Sequence, residues 1–389
     1  MTSKKWLCGW TAVALSVPII GVAALGRKMT SWKDPKQREI TVSADHKLVT
    51  LAADAKTTAT GSYGIALPDA HLTVGSVIRL DGGQVTREIT QWAGTRSAGT
   101  QHGAWTGQVS ASPEHLGLPF EEVKLGRQGR VLPAWVFHPQ DSSRKNVWAI
   151  HVHGLRSSRY SMLRSVASSA HLGMTSLVPS YYGDAENHSH GEVCHYGGLE
   201  TLDVDESIAY AVEHGAESIY LFGWSMGATI SLLLSESSRY RGLIAGLVLV
   251  SPGPNTEAVI AVNARTAGLP GPLADLAPRI LSSTLLKRFA GLTAPVDFEN
   301  LDWTQGVNRL RIPALVFHSR GDTEVPFSLT EAFARANRNK VTLKEFPPVP
   351  HQCEWNASPE RFEAEVASWV QALETGKTEP QRLQQPVVL

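Results

Sequence analysis

Cysteine is scarce in this chain: 389 residues hold three. Cys8 lies in an apolar N-terminal stretch, so Cys194 and Cys353 are left for the globular part. Two cysteines exclude a disulfide-stapled scaffold and allow one bridge at most. A surplus of either charge sign is also missing. Lys plus Arg and Asp plus Glu number 36 each, and no long basic run occurs. That balance excludes the electrostatic footprint of a nucleic-acid binder. Charged residues make up only 19% of the chain against 42% apolar, which leaves material for a large buried core. No internal repeat keeps a convincing register, so a repeat array is excluded as well.

One uncharged run is long enough to cross a membrane. Residues 6–26 read WLCGWTAVALSVPIIGVAALG, between Lys4-Lys5 and Arg27-Lys28. About 20 apolar residues span a bilayer, so a membrane anchor is the expectation. A cleaved export signal is the rival, with Val22, Ala23 and Ala24 offering small residues for a cleavage site. The basic flanks are nearly tied (Lys4, Lys5 and the α-amino group against Arg27, Lys28 and Lys33), so they do not orient the segment. N-terminal apolar segments mostly act as export signals, which puts the bulk of the chain outside the cytoplasm.

Residues 30–117 form a β-rich block. REITVSADHKLVTLAA, HLTVGSVIRLD and QVTREITQW are β-branched and partly alternating, with Gly and Asp clusters between them. From residue 118 to 374 the pattern changes. A hairpin over FEEVKL and VLPAWVFHP leads into apolar strands that alternate with helical stretches. Such alternation predicts an α/β fold: a mostly parallel sheet covered by helices on both faces. Residues 253–305 interrupt it with an Ala- and Leu-rich, proline-punctuated helical insertion, expected to cap one end of the sheet. Residues 375–389 are polar and read as a flexible tail.

The chemistry concentrates at IYLFGWSMGATISLL, residues 219–233. A strong strand meets a strong helix at Gly223-Trp224-Ser225-Met226-Gly227. A serine on so sharp a turn projects its hydroxyl from the sheet edge. The tightness leaves no room for side chains two residues away on either side, hence glycine at both places. The helix behind it aims its free N–H groups at the site.

A serine hydroxyl needs a base, and the base needs an orienting carboxylate. On this kind of sheet both follow the serine in the order acid, histidine. PALVFHSRGDTEVP places Asp322 just after a strand, and FPPVPHQCEWN places His351 after the next. Asp297 and Asp302 compete as acids but fall in the insertion, and His318 falls within or at the end of a buried strand. The oxyanion donors expected are the Met226 amide and the Leu155 amide in HVHGLRSSR, where Gly154 permits close backbone approach.

With HVHG, GWSMG, RGD at a strand end and the late PH, residues 118–374 resemble the α/β-hydrolases of the esterase, lipase and serine-aminopeptidase-like kind. The resemblance covers about two thirds of the chain. It implies a mostly parallel eight-stranded sheet, a helical cap, and Ser225, Asp322 and His351 as a triad. The β-rich block and the apolar segment resemble membrane-associated bacterial members. One departure is the acid turn: the family often has H-G-x-x-D, and this chain has HSRGD.

His188, His190, Cys194 and His195 gather in GDAENHSHGEVCHYGG, at a spacing that fits no standard zinc pattern. No metal or organic cofactor is expected. The loop shares a sheet edge with His351, so a Cys194–Cys353 disulfide is a candidate. The reading that results is a serine hydrolase cleaving carboxylic esters, lipids included, through an acyl-enzyme. A peptidase or acyltransferase on the same triad stays open, since Glu257, Asp275 and Asp297 could meet a substrate amine. So does a non-catalytic binding protein on a hydrolase scaffold.

Overall fold

Ser225 follows the fourth strand in the spatial order of an eight-stranded sheet. The computed structural model describes residues 31, 34–127, 130–184, 186 and 193–376. Strands β7 (Phe120–Arg127) and β8 (Arg130–Phe137) form the predicted hairpin. They are followed by β9 (Val147–Val152), β10 (Thr175–Pro179), β11 (Ser218–Trp224), β12 (Ile244–Val250), β13 (Ala314–Ser319) and β14 (Val341–Phe346). The spatial order is β14-β13-β12-β11-β9-β10-β8-β7. The sheet is mixed: strands from β10 to β14 pair in parallel, and β8 runs antiparallel to both β10 and β7. The physical reason is the tight β7–β8 hairpin, which must reverse the chain at that edge.

Successive side chains on a strand point to opposite faces, and both faces are buried here. From β11, Ile219 and Leu221 face one core together with Val204 and Ile208 of α2 (Glu200–Glu213) and Ile230 and Leu234 of α3 (Met226–Ser237). Tyr220, Phe222 and Trp224 face the other, with Leu163 and Val166 of α1 (Leu163–His171) and Phe362 and Val366 of the C-terminal helix Pro359–Glu374. This is why the strands read as near-continuous apolar runs.

The N-terminal block is a closed six-stranded antiparallel barrel. Its strands are β1 (Gln37–Val42), β2 (Leu48–Ala52), β3 (Tyr63–Leu67), β4 (Ala70–Asp81), β5 (Gln84–Gly94) and β6 (Gly99–Trp105). Alternate residues fill it: Ile40 and Val42, Val49 and Leu51, Tyr63 and Ile65, Leu72 and Val74. Arg87 also points inward, two residues after Val85, and is 0% exposed. Its guanidinium donates to the carbonyls of Gly75, Thr57, Ala59 and Gly61, and lies 5.2 Å from the Tyr63 ring centroid. A buried cation is tolerated because every face of it meets an acceptor or a ring.

The insertion begins with α4 (Thr256–Thr266), capped by the Asn255 side chain on the Ala258 amide. Short helices Gly271–Ala274 and Leu276–Ser282 continue it. They pack with Tyr196 and Leu233 into a separate cluster around Ile260, Ile280 and Phe298. Among the described residues no helix is long and apolar enough to cross a membrane. The apolar segment 6–26 lies outside the described residues, as do His188 and His190.

Arg87→Met keeps the apolar stem and removes the donors, leaving four carbonyls unsatisfied at one end of the barrel. Unfolding free energy is expected to fall by about 3 kcal/mol or more. Urea denaturation followed by tryptophan fluorescence reads it, and an unchanged midpoint would show that those carbonyls find other donors.

Candidate active site

Ser225 sits between β11 and α3 with φ 53° and ψ −114°, a conformation a serine adopts only when its surroundings impose it. Its amide donates to the Val250 carbonyl (2.9 Å), and its carbonyl accepts from Ala228 (2.9 Å), so the helix is entered without a cap side chain. A Cβ on Gly223 would lie 2.4 Å from the Gly227 carbonyl oxygen, and one on Gly227 would lie 2.0 Å from that of Val152. The two glycines are demanded by crowding, as the sequence led one to expect.

The chain reaches Asp322 after β13 and His351 after β14, and both converge on the serine. His351 Nε2 lies 2.8 Å from Ser225 Oγ, and His351 Nδ1 lies 2.6 Å from Asp322 Oδ2. With Nδ1–H donated to the carboxylate, Nε2 presents its lone pair to the serine hydroxyl. Asp322 is buried at 6% exposure. Its Oδ1 accepts the amides of Glu324 (2.8 Å) and Val325 (2.9 Å), and its Oδ2 accepts a second imidazole, His318 Nε2 (3.0 Å). His318 is fixed in turn on Thr330 Oγ1 at 2.8 Å. Burial alone would raise the Asp322 pKa, but the bonds from His318 and His351 outweigh it and hold the carboxyl well below its ordinary range. Burial likewise works to lower His351, yet the hydrogen bond to Asp322 and its charge prevail, and the imidazole pKa is raised.

The departure from H-G-x-x-D has a structural account. Ser319 Oγ accepts the amides of Gly321 (3.0 Å) and Val349 (2.8 Å) and donates to the Pro347 carbonyl (2.9 Å), stitching the acid turn to the histidine loop. Arg320 turns outward to Glu345 and Glu331. A Cβ on Gly321 would lie 2.6 Å from the Val349 amide nitrogen, so glycine is needed there too.

The loop after β9 passes directly beside the serine. A Cβ on Gly154 would lie 3.2 Å from Ser225 Cβ. His153 anchors the loop: it is buried, stacked on Tyr181 at 4.0 Å, and 3.2 Å from Asp184. Tyr181 Oη donates to the His153 carbonyl at 2.7 Å. Leu155 and Met226 both line the cavity that holds Ser225, and among the described residues no acceptor takes the amide of either. That cavity measures ≈ 410 Å³. Its apolar wall is Leu155, Met226, Val259, Ile260 and Val325, and its polar groups include Arg156, Tyr196, Asn263 and Glu324. The insertion therefore roofs the site through α4. The acids Glu257, Asp275 and Asp297 do not line the cavity, whereas Glu324 does, with Lys56 Nζ of the barrel 3.1 Å away.

The expected Cys194–Cys353 disulfide is not formed; both thiols are free. The loops share a sheet edge, but the side chains diverge. Cys194 goes under the cap, with Met226 Sδ 3.1 Å from its sulfur. Cys353 turns toward the barrel core, and burial pushes its thiol pKa up to about 12. Sequence reasoning also passed over His318 as a partner of Asp322. The signal was present: a histidine four residues before an acid at a strand end.

The His351 imidazole is expected to titrate above its ordinary value of about 6.5. In Asp322→Asn the raising charge is gone and burial dominates, so the value falls below it. Histidine NMR titration of the two proteins checks this, and a titration that ignores the substitution would refute the electrostatic account.

Residues 39–106, which cover nearly all of the barrel, match a family described as "Domain of unknown function (DUF8805)". A search of curated proteins finds no match. Among solved structures, the esterase Pf2001 of Pyrococcus furiosus is 19% identical with TM-score 0.51, over 67% of this chain and 96% of that one. Est1E of Butyrivibrio proteoclasticus with ferulic acid bound is also 19% identical with TM-score 0.51, over 65% of this chain and 99% of that one. At such identities these likenesses speak for the fold. Residues 149–365, more than half of the chain, match the model of the "Alpha/beta hydrolase family", and the chain belongs to that family.

Proposed function

We propose that the protein is a serine esterase that cleaves carboxylic esters through an acyl-enzyme. The observation that carries this reading is the unbroken relay from Ser225 Oγ through His351 to Asp322, at 2.8 Å and 2.6 Å. In it, His351 Nε2 takes the hydroxyl proton as Ser225 Oγ attacks the ester carbonyl carbon. The carbonyl π bond opens and its electron pair becomes the oxyanion. The Leu155 and Met226 amides are the donors for that charge. The tetrahedral intermediate collapses, the alcohol leaves with the proton from His351, and the acyl group stays on Ser225. Water then repeats the sequence with His351 again as base, and the carboxylic acid departs. Asp322 holds the imidazole in the reactive tautomer and balances its charge while protonated.

Ester substrates are favoured by the mostly apolar wall beside Ser225, which suits an acyl chain or an aromatic acid. The two solved structures named above are esterases, and the shared fold fits the same chemistry. A peptidase acting on free amines would use a cavity carboxylate, and Glu324 already faces Lys56. The uncharged segment 6–26 is read as a membrane tether with the catalytic domain on the extracytoplasmic side. Retention of the full chain in membranes after alkaline extraction is the expected result.

The test is a fluorophosphonate probe on wild type and Ser225→Ala, with turnover of short and long acyl esters. Labelling should vanish in the variant and turnover should fall by at least about 10⁴-fold. The base must be neutral to act, and its pKa is raised, so the acid limb of kcat/KM should lie above about pH 6.5. A folded wild type that the probe leaves unlabelled would overturn the reading in favour of a binding scaffold.

A further inference from the structure

Among the described residues, the barrel meets the hydrolase domain at two places that adjoin the relay. The first is the turn just after His351. Asn356 is 0% exposed and is shared between the two domains. Its Nδ2 donates to the carbonyls of Ser62 (2.6 Å) and Gly107 (2.9 Å) in the barrel, and its carbonyl accepts the Ser62 amide at 3.0 Å. Its Oδ1 accepts Arg164 Nη1, and Arg164 lies 3.8 Å from the ring centroid of Trp224, the neighbour of Ser225. The approach is close: a Cβ on Gly61 would lie 2.0 Å from the Asn356 carbonyl oxygen. Cys353 packs against the barrel core from the same turn. The second place is Glu324, two residues after Asp322, which faces Lys56 of the barrel.

The turn needs holding. Gln352, next to His351, has φ 61°, and Ser251, whose Oγ accepts the Gln352 amide at 3.1 Å, has φ 45°. Residues in that region persist only when neighbours on several sides fix them. On the hydrolase side the fixing group is Glu354, which accepts Ser251 Oγ at 2.7 Å. On the other side it is the barrel, through Asn356. The turn between is short and internally bonded, with Cys353 N on Pro350 O and Ala357 N on Cys353 O. A displacement at Asn356 therefore reaches His351 within one turn of chain.

We propose that the barrel is a working part of the hydrolase: its Ser62–Gly107 edge clamps Asn356 and so positions His351 against Ser225 and Asp322. Asn356 is a positioning residue in this scheme, and the domain that carries Ser62 and Gly107 supplies alignment rather than a separate binding activity. The proposal rests on the serine-esterase reading above.

Asn356→Asp tests it. The aspartate keeps an acceptor for Arg164 but turns oxygen toward the two barrel carbonyls, so both side-chain bonds to the barrel are lost while the Ser62 amide bond and the hydrolase-side bond survive. The full chain is compared with wild type by ester kinetics, by the rate of fluorophosphonate labelling, and by titration of labelled sites. The expected result is a kcat per labelled site lower by roughly 10- to 100-fold, KM within about twofold, and slower labelling. The acid limb of the pH profile should move down, because a looser His351–Asp322 contact loses the charge that raises the histidine. A kcat per labelled site equal to wild type overturns the proposal, whether or not fewer molecules fold. Should Asn356→Asp not fold, hydrogen exchange of the wild type decides. Coupling is reciprocal, so phosphonylation of Ser225 should slow exchange of the Ser62 amide, and no change there overturns the clamp. A wild type that neither labels nor turns over esters refutes the esterase reading instead.

Discussion

The structure turns on a lack of space at residue 225. Strand β11 must end, and α3 must begin, inside a region where Val152, Gly223 and Gly227 approach so closely that no Cβ fits at either glycine. This crowding forces Ser225 to φ 53° and lifts its hydroxyl out of the sheet. It also places the Gly154–Leu155 backbone against the serine. Everything else at the site is arranged around that point: the acid and histidine loops arrive from β13 and β14, and α4 closes over the top. A parallel sheet supplies the geometry, because all its strand ends at one edge open toward the same cleft.

Electrostatics then decides which groups carry charge. A carboxylate as buried as Asp322 is stable only with full hydrogen bonding, and it has four donors: two amides and two imidazoles. Each bond favours the ionised form, so the acid remains a carboxylate and its charge is transmitted to His351. His318 belongs to this arrangement although it is 0% exposed and away from the serine. It donates to Asp322 Oδ2, the oxygen that also meets His351. The carboxylate is thus prevented from rotating away from His351.

The legible part of the protein was what is encoded within a few residues. Gly223, Ser225 and Gly227 announce a tight strand-to-helix turn because the steric demand is local. Asp322 and His351 follow from their position after apolar strands, since strand order in an α/β sheet decides which edge a loop occupies. The hairpin at 120–137 was legible for the same reason, and it is what makes the sheet mixed. The direction of a loop side chain was not encoded in this way. Cys194 and Cys353 share an edge, yet one packs under the cap and the other against the barrel. Nor could local pattern show that Asn356 would bond to Ser62, which is 294 residues distant. Arg87 reads as a surface residue of a strand until the barrel closes and brings four carbonyls to it.

These observations join in the distribution of backbone strain. Seven non-glycine residues among those described have positive φ; one is Ser225 itself, and four others, Arg156, Tyr196, Ser251 and Gln352, lie around the serine and histidine. Such conformations cost roughly 1–3 kcal/mol each, so a cluster of them subtracts a sum comparable with the whole stability of a small domain. The offset has to come from contacts that do not move. The dense aromatic packing under Trp224 is one source, and the bonds from Ser251 and Glu354 to the histidine turn are another. The barrel residues that bond Asn356 are a third. A second domain fused ahead of a hydrolase, with its closest approach at the histidine loop, is the arrangement that such an imbalance calls for.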